Sequence, residues 1–187
     1  MHKNKPYKSL NTGKIHMIYG LHAVRAALLN KKRVHRELHI TENNHEIAEN
    51  YRSVIKKISI LDHKDFKKLY GGEKSTQGIV LKTNDFERPS LQQFLQNENL
   101  NDKSVLLALD QITDPQNIGS IMRSCALFNC KGIIVAKDNA PDLTPSLYKA
   151  ASGAAEVVNY FRVTNLKRSI SELKKYGYWA YGFDSSK

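Results

Sequence analysis

Asn117 and Arg123 are the two side chains in this sequence best suited to handling a polar or phosphate-bearing ligand. They stand six positions apart in the stretch LDQITDPQNIGSIMR, residues 109–123, where an apolar run gives way to a helical pattern. An amide donates and accepts at once, and a guanidinium offers five fixed donors and a permanent charge. Each residue also has a purely structural reading: Asn117 as an N-cap, Pro115 as a turn former, Gly119 as a close-packing position, Arg123 as a solvated helix arginine. Their grouping at a strand-to-helix junction points to a site. Ligands collect at the carboxyl ends of parallel strands, and the free amides of a helix start favour anions or polar oxygens.

The surrounding pattern supplies the elements such a site needs. Residues 105–109, VLLAL, form a continuous apolar run of the kind that suits a strand covered on both faces. A helix is predicted over 117–128, with Ile118, Ile121, Met122, Cys125 and Ala126 on one face. Arg123 lies about 140° from Ile118 and so off that buried stripe. Strands follow at 132–136, 157–163 and 178–183, with helices at 145–152 and 165–176 between them. This alternation predicts an α/β unit with a parallel sheet.

The first half reads as a smaller α/β unit over 15–84, preceded by a flexible basic arm, residues 1–14. A helix is predicted over 20–30, with Leu21, Val24, Ala27 and Leu28 as its buried stripe. Strands are expected at 37–41, 58–61 and 78–81, and helices at 44–57 and 63–70, the latter closed by Gly71 and Gly72. Residues 85–102, with Arg88-Pro89 and a run rich in Gln and Asn, read as a linker around a short helix at 91–96. The second unit occupies 103–187.

The length of 187 residues allows one domain or two small ones. The charge is informative through its placement: 29 bases and 18 acids give +11, of which +8 lies in residues 1–40. Such asymmetry predicts a polyanionic partner such as a nucleic acid, with Lys14, His22, Arg25, Lys31, Lys32, Arg33 and Arg36 as its contacts. No apolar run approaches the roughly 20 residues that span a bilayer, so no membrane partner is expected. The first residues lack the apolar centre of a secretory signal, which makes the cytoplasm the expected compartment. Cys125 and Cys130 fit neither a disulfide framework nor a zinc ligand set. Five of the seven histidines fall within the first 40 residues, yet none has metal-binding spacing with a third ligand, so no metal is expected.

The stretch DPQNIGSIMR, residues 114–123, resembles the first motif, N-x-x-x-x-x-R after D-P, of the TrmH/SpoU group of SPOUT RNA methyltransferases. ASGAAE at 151–156 resembles that family's small-residue stretch, and IYGLHAV at 18–24 the opening of its substrate-binding domain. TQGIV at 76–80 resembles the strand that closes that domain, with Thr76 where the family usually has histidine. The resemblance implies an N-terminal L30e-like α/β substrate-binding domain followed by a SPOUT α/β domain. It also implies methyl transfer from S-adenosylmethionine to a ribose 2′-hydroxyl of ribosomal RNA, 23S above all. Asn117 and Arg123 would then be the catalytic pair, with Glu156 behind them as a supporting partner, and a homodimer would be typical. The alternatives are a non-catalytic RNA-binding remnant and a methyltransferase acting on transfer RNA.

Two later motifs of that family, a G-x-E-x-x-G loop and an S-L-N-V-S loop, are absent from these 187 residues. The expectation is therefore an incomplete SPOUT domain, its C-terminal trefoil knot missing, that binds S-adenosylmethionine weakly or not at all. Apolar surface near Ile133 to Val135 and Tyr178 to Phe183 should then be left open.

Overall fold

The computed structural model describes residues 15–71, 73–97 and 104–184. The basic arm, Lys14 included, lies outside the described residues.

The first unit is a four-stranded sheet in the order β1-β4-β2-β3. Its strands are β1 (Ile15–Tyr19), β2 (His35–Ile40), β3 (Lys57–Ile60) and β4 (Ile79–Asn84). The β2–β3 pair is parallel, and β4 runs antiparallel to both β1 and β2. Strand β1 has no strong alternation of its own and owes its form to a five-residue ladder with β4, from Ile15 opposite Asn84 to Tyr19 opposite Val80. Gly20, with φ 91°, then turns the chain into α1 (Leu21–Leu29), which buries Ala23, Val24, Ala27 and Leu28. Helix α2 (His45–Tyr51) stops short of the expected 44–57 and leaves Ile55 to turn back into the core. Helix α3 (His63–Tyr70) begins where the Asp62 side chain accepts from the Asp65 amide and ends on Gly71 at φ 75°. The short α4 (Glu73–Thr76) leads into β4.

The second unit has three parallel strands in the order β5-β6-β7: β5 (Leu106–Leu109), β6 (Gly132–Ala136) and β7 (Asn159–Val163). Helices α6 (Pro115–Leu127), α7 (Pro145–Ala151) and α8 (Leu166–Lys175) join and follow them. The stretch read as a linker contributes α5 (Leu91–Asn97), whose Leu91 and Leu95 pack with Ile134, Phe161 and Leu173. The opposite face of this sheet belongs to a core that runs unbroken into the first unit, from Ile118, Met122 and Leu147 to Ile18, Val24 and Leu38.

Two expectations are corrected. Residues 178–183 form no strand, because a strand needs a ladder partner and none of the described strands pairs with them. The Tyr178 hydroxyl instead meets Ser104, and Trp179, Tyr181 and Phe183 are exposed. Ile133, Ile134 and Val135 are not open surface: β6 is the central strand, covered on both faces, and they are buried. The exposed apolar edge lies at β5, where Val105 is open and Ala108 faces out.

Candidate active site and interdomain clamp

A close helix crossing places Arg123. Gly119 is buried where α6 meets α7; a Cβ there would lie 2.4 Å from the Ala150 Cβ and 2.7 Å from its carbonyl carbon. Only glycine lets the two backbones come this near. One turn further along α6, Arg123 Nη1 donates to the Ala150 carbonyl oxygen and Nη2 reaches Ser120 Oγ at 3.4 Å. The close-packing reading of Gly119 and the site reading of Arg123 are thus compatible, because the first brings the carbonyl that braces the second. The rest of the Arg123 side chain is exposed.

The helix start is built by Asp114, whose carboxylate accepts from the Gln116 amide at 2.9 Å, with Pro115 at the first helical position. The capping role open to Asn117 is therefore taken by Asp114. Asn117 sits exposed in the first turn and makes no side-chain hydrogen bond among the described residues. Six residues of helix separate it from Arg123 by about 9 Å along the axis and about 120° around it, and no hydrogen bond joins the two. Gln111, in the loop from β5, holds a left-handed φ of 55°. For a residue with a Cβ that costs about 1 kcal/mol.

The expected RNA contacts separate into three groups. His22 and Arg25 are exposed on α1, and Lys31 and Lys32 are exposed in the turn after it. Arg36 is half-buried on β2, its Nε donating to Asn84 Oδ1 at 2.8 Å. Arg33 does not face solvent at all. Its side chain is 0% exposed and grips Glu156, itself 4% exposed, through Nε at 2.8 Å and Nη2 at 2.9 Å. The expectation that Arg33 contacts RNA is corrected: a guanidinium with both edges occupied inside the protein has nothing left for a phosphate. Glu156, expected behind Asn117 and Arg123, serves this pair instead.

Around the pair the two units are clamped together. Arg33 Nη2 also donates to the Tyr148 hydroxyl at 2.9 Å, Nη1 to the Asn84 carbonyl at 3.3 Å, and the guanidinium lies between the Phe86 and Tyr148 rings. Arg88 donates to the Ala155 carbonyl at 2.9 Å and to the Tyr148 hydroxyl at 3.1 Å, and Asn30 to Glu156 at 2.7 Å. Burial works against the Arg33 cation, but the bonds and charge of Glu156 and Tyr148 outweigh it and raise its pKa. The same buried charge, after burial itself, pulls the His35 pKa down. Sequence reasoning missed Tyr148, Phe86 and Arg88 as partners. The available signal was the aromatic-cation spacing of Phe86 and Arg88 in a stretch that reads as linker.

Charge on the first unit gathers a second time around Glu37, which accepts from Lys82 at 2.9 Å and Lys57 at 3.2 Å. Those two bonds hold its carboxyl down to about 2. Tyr70 and Glu37 both meet His39, whose pKa is lowered, chiefly by burial.

One depression is lined by Ile15, Arg36, Glu37, Lys57 and Lys82, another by Lys174, Gly177, Tyr178, Trp179 and Ala180; neither includes Asn117 or Arg123. Among the described residues no three His, Cys, Asp or Glu side chains are grouped to hold a metal. None of the described helices is long and apolar enough to cross a membrane. Cys125 and Cys130 are free, and burial pushes the Cys125 thiol up to about 12.

Residues 104–187 match the SpoU rRNA Methylase family, and residues 17–89 match the RNA 2′-O ribose methyltransferase substrate binding family. The chain is similar to the 23S rRNA (guanosine-2′-O-)-methyltransferase RlmB of Neisseria meningitidis serogroup B, at 35% identity over 90% of this chain and 69% of that protein. It resembles the RlmB of Coxiella burnetii at 33% identity, again over 90% of this chain and 69% of the relative. Among solved structures, the SpoU methyltransferase AviRb from Streptomyces viridochromogenes superposes with a TM-score of 0.65 at 19% identity, covering 87% of this chain and 59% of that one. The chain thus spans about two thirds of these curated relatives and less of the solved structure.

Proposed function

Since the chain belongs to the SpoU rRNA methylase family, we propose that its two units serve 2′-O-methylation of ribosomal RNA in the cytoplasm. In this reading the first unit holds the RNA and α6 presents Asn117 and Arg123 to the target ribose. The single observation that carries it is the braced but exposed Arg123 on the helix that leaves the carboxyl end of β5.

A ribose 2′-hydroxyl is a poor nucleophile until its proton is removed or its alkoxide is stabilised. A guanidinium offers donors and no acceptor, so Arg123 does not take the hydroxyl proton. Its work is electrostatic: it turns the ribose and its phosphate and lowers the energy of the developing oxyanion. The Ala150 carbonyl fixes the guanidinium plane in advance, which removes reorganisation from the reaction. Asn117, unbonded to its neighbours, is free to donate to or accept from the ribose.

The family's methyl donor is S-adenosylmethionine, which would supply the methyl group to the ribose 2′-oxygen. Titration calorimetry of S-adenosylmethionine into these 187 residues is expected to show no micromolar binding; a micromolar site would overturn that expectation.

Tritium transfer from labelled S-adenosylmethionine into ribosomal or transfer RNA tests the reading. A 2′-O-methyl product lost in Arg123→Ala supports catalysis, by a factor of about 10² to 10³ for one oxyanion-stabilising donor. The exposed cations on the first unit equally support a second reading, RNA retention without transfer. Binding that ignores salt would overturn both, since phosphate contacts make affinity fall steeply with salt.

A further inference from the structure

We propose that the uncovered part of the first unit's sheet, centred on Glu37, is a phosphodiester-binding face for RNA, and that Glu37 occupies its cations until a phosphate replaces it. This rests on the reading that the unit binds RNA and adds which surface does so.

Ladder register sets one row across the sheet: Met17 opposite Lys82, Lys82 opposite Glu37, Glu37 opposite Lys57. Neighbouring strands are about 4.8 Å apart, so the two lysines flank Glu37 within side-chain reach. Helices α1 and α2 bury the other side of the sheet through Val24, Leu28, Ile47 and Ala48. On this side, among the described residues, α3 covers the far end, where Tyr70 bonds His39 and packs on the buried Phe66. The near end stays open: Ile15 is 57% exposed and Met17 45%, and the Lys57 side chain is 64% exposed.

Charge selects the occupant. Arg36, Lys57 and Lys82 line one shallow depression together with Ile15 and the single carboxylate of Glu37, to which both lysines donate. The surplus is cationic, and the apolar rim of Ile15 and Met17 suits ribose and base better than a hydrated protein acid. A phosphate offers several acceptor oxygens where Glu37 offers two, and can draw both lysines and Arg36 at once. The cations on α1 and its following turn are a separate surface, which makes this face distinguishable from it.

The test is binding of a fluorescein-labelled RNA hairpin to the whole chain, read by anisotropy across a KCl series. Lys57→Gln with Lys82→Gln is expected to weaken binding roughly ten-fold and to flatten the log–log salt slope by about 1.5, the value of two phosphate contacts. Glu37→Gln is expected to tighten binding a few-fold, about what one exposed opposing charge is worth. A purely structural Glu37 would instead loosen the sheet and weaken binding. The proposal is overturned if the double variant binds like the unaltered chain, or if Glu37→Gln weakens binding while retaining its melting temperature. Loss confined to Lys31→Gln with Lys32→Gln overturns it too and assigns RNA to the α1 turn. If the unaltered chain shows no salt-dependent binding, the wider RNA reading falls with it.

Discussion

Arg33 with Glu156 and Lys82 with Glu37 are two cation–carboxylate pairs in opposite settings. In the first, both side chains are almost wholly out of water and every donor edge of the cation is engaged. In the second, the carboxylate is held by two lysines at an open sheet face. The difference teaches which cations of a basic protein are available to a partner. Both cations belong to the first unit, yet one fastens that unit to the second and the other remains exchangeable. Net charge counts them alike; burial separates them.

Removing one member of each pair should separate them by stability. Glu156→Ala leaves Arg33 buried without its carboxylate, which costs about 3–5 kcal/mol. For a chain of this size that lowers Tm by about 10 °C. Glu37→Ala removes a partly exposed pair and is expected to cost under about 1 kcal/mol. Thermal melts of both variants at low and high salt check this, and added salt should erase the Glu37 effect while leaving the Glu156 effect intact. Equal losses would break the comparison.

Acid resolves the two settings more finely. His35, beside Arg33, and His39, beside Glu37, both have pKa values below the ordinary one, chiefly through burial. The unfolded chain therefore takes up protons that the fold refuses, and stability declines as pH falls below about 6.5. Glu37 adds a later loss: its carboxyl is held at about 2, so its contribution is present above about 4.5 and fades between there and 2. Melting temperature followed from pH 7 to pH 3 should fall in these two stages. A flat profile down to pH 4.5 would remove the histidines from the account.

Much of the fold was legible because its signals are local. The apolar run at β5, the Ile118, Met122 and Cys125 stripe of α6, and the Gly71 stop of α3 each follow from a few neighbouring residues. The failures are non-local. Residues 178–183 have a strand's composition but no partner in the described sheet, and β1 is a strand only because β4 lies beside it. At the site, Asn117 and Arg123 were visible as a spaced pair. The Ala150 brace was not, since it depends on a helix crossing 27 positions away. Arg33 misled for the same reason: its partner is 123 positions distant, and nothing in a run of basic residues marks the one that will be buried.

Helix α7 and the turn after it touch both halves of the molecule, bracing Arg123 through Ala150 and holding Arg33 and Arg88 through Tyr148, Ala155 and Glu156. A foreign first unit grafted onto residues 104–187 would have to bring guanidiniums matching positions 33 and 88, or leave Glu156 and Tyr148 facing nothing. Exchange of the first unit is therefore constrained at this seam by the need to match those two cations.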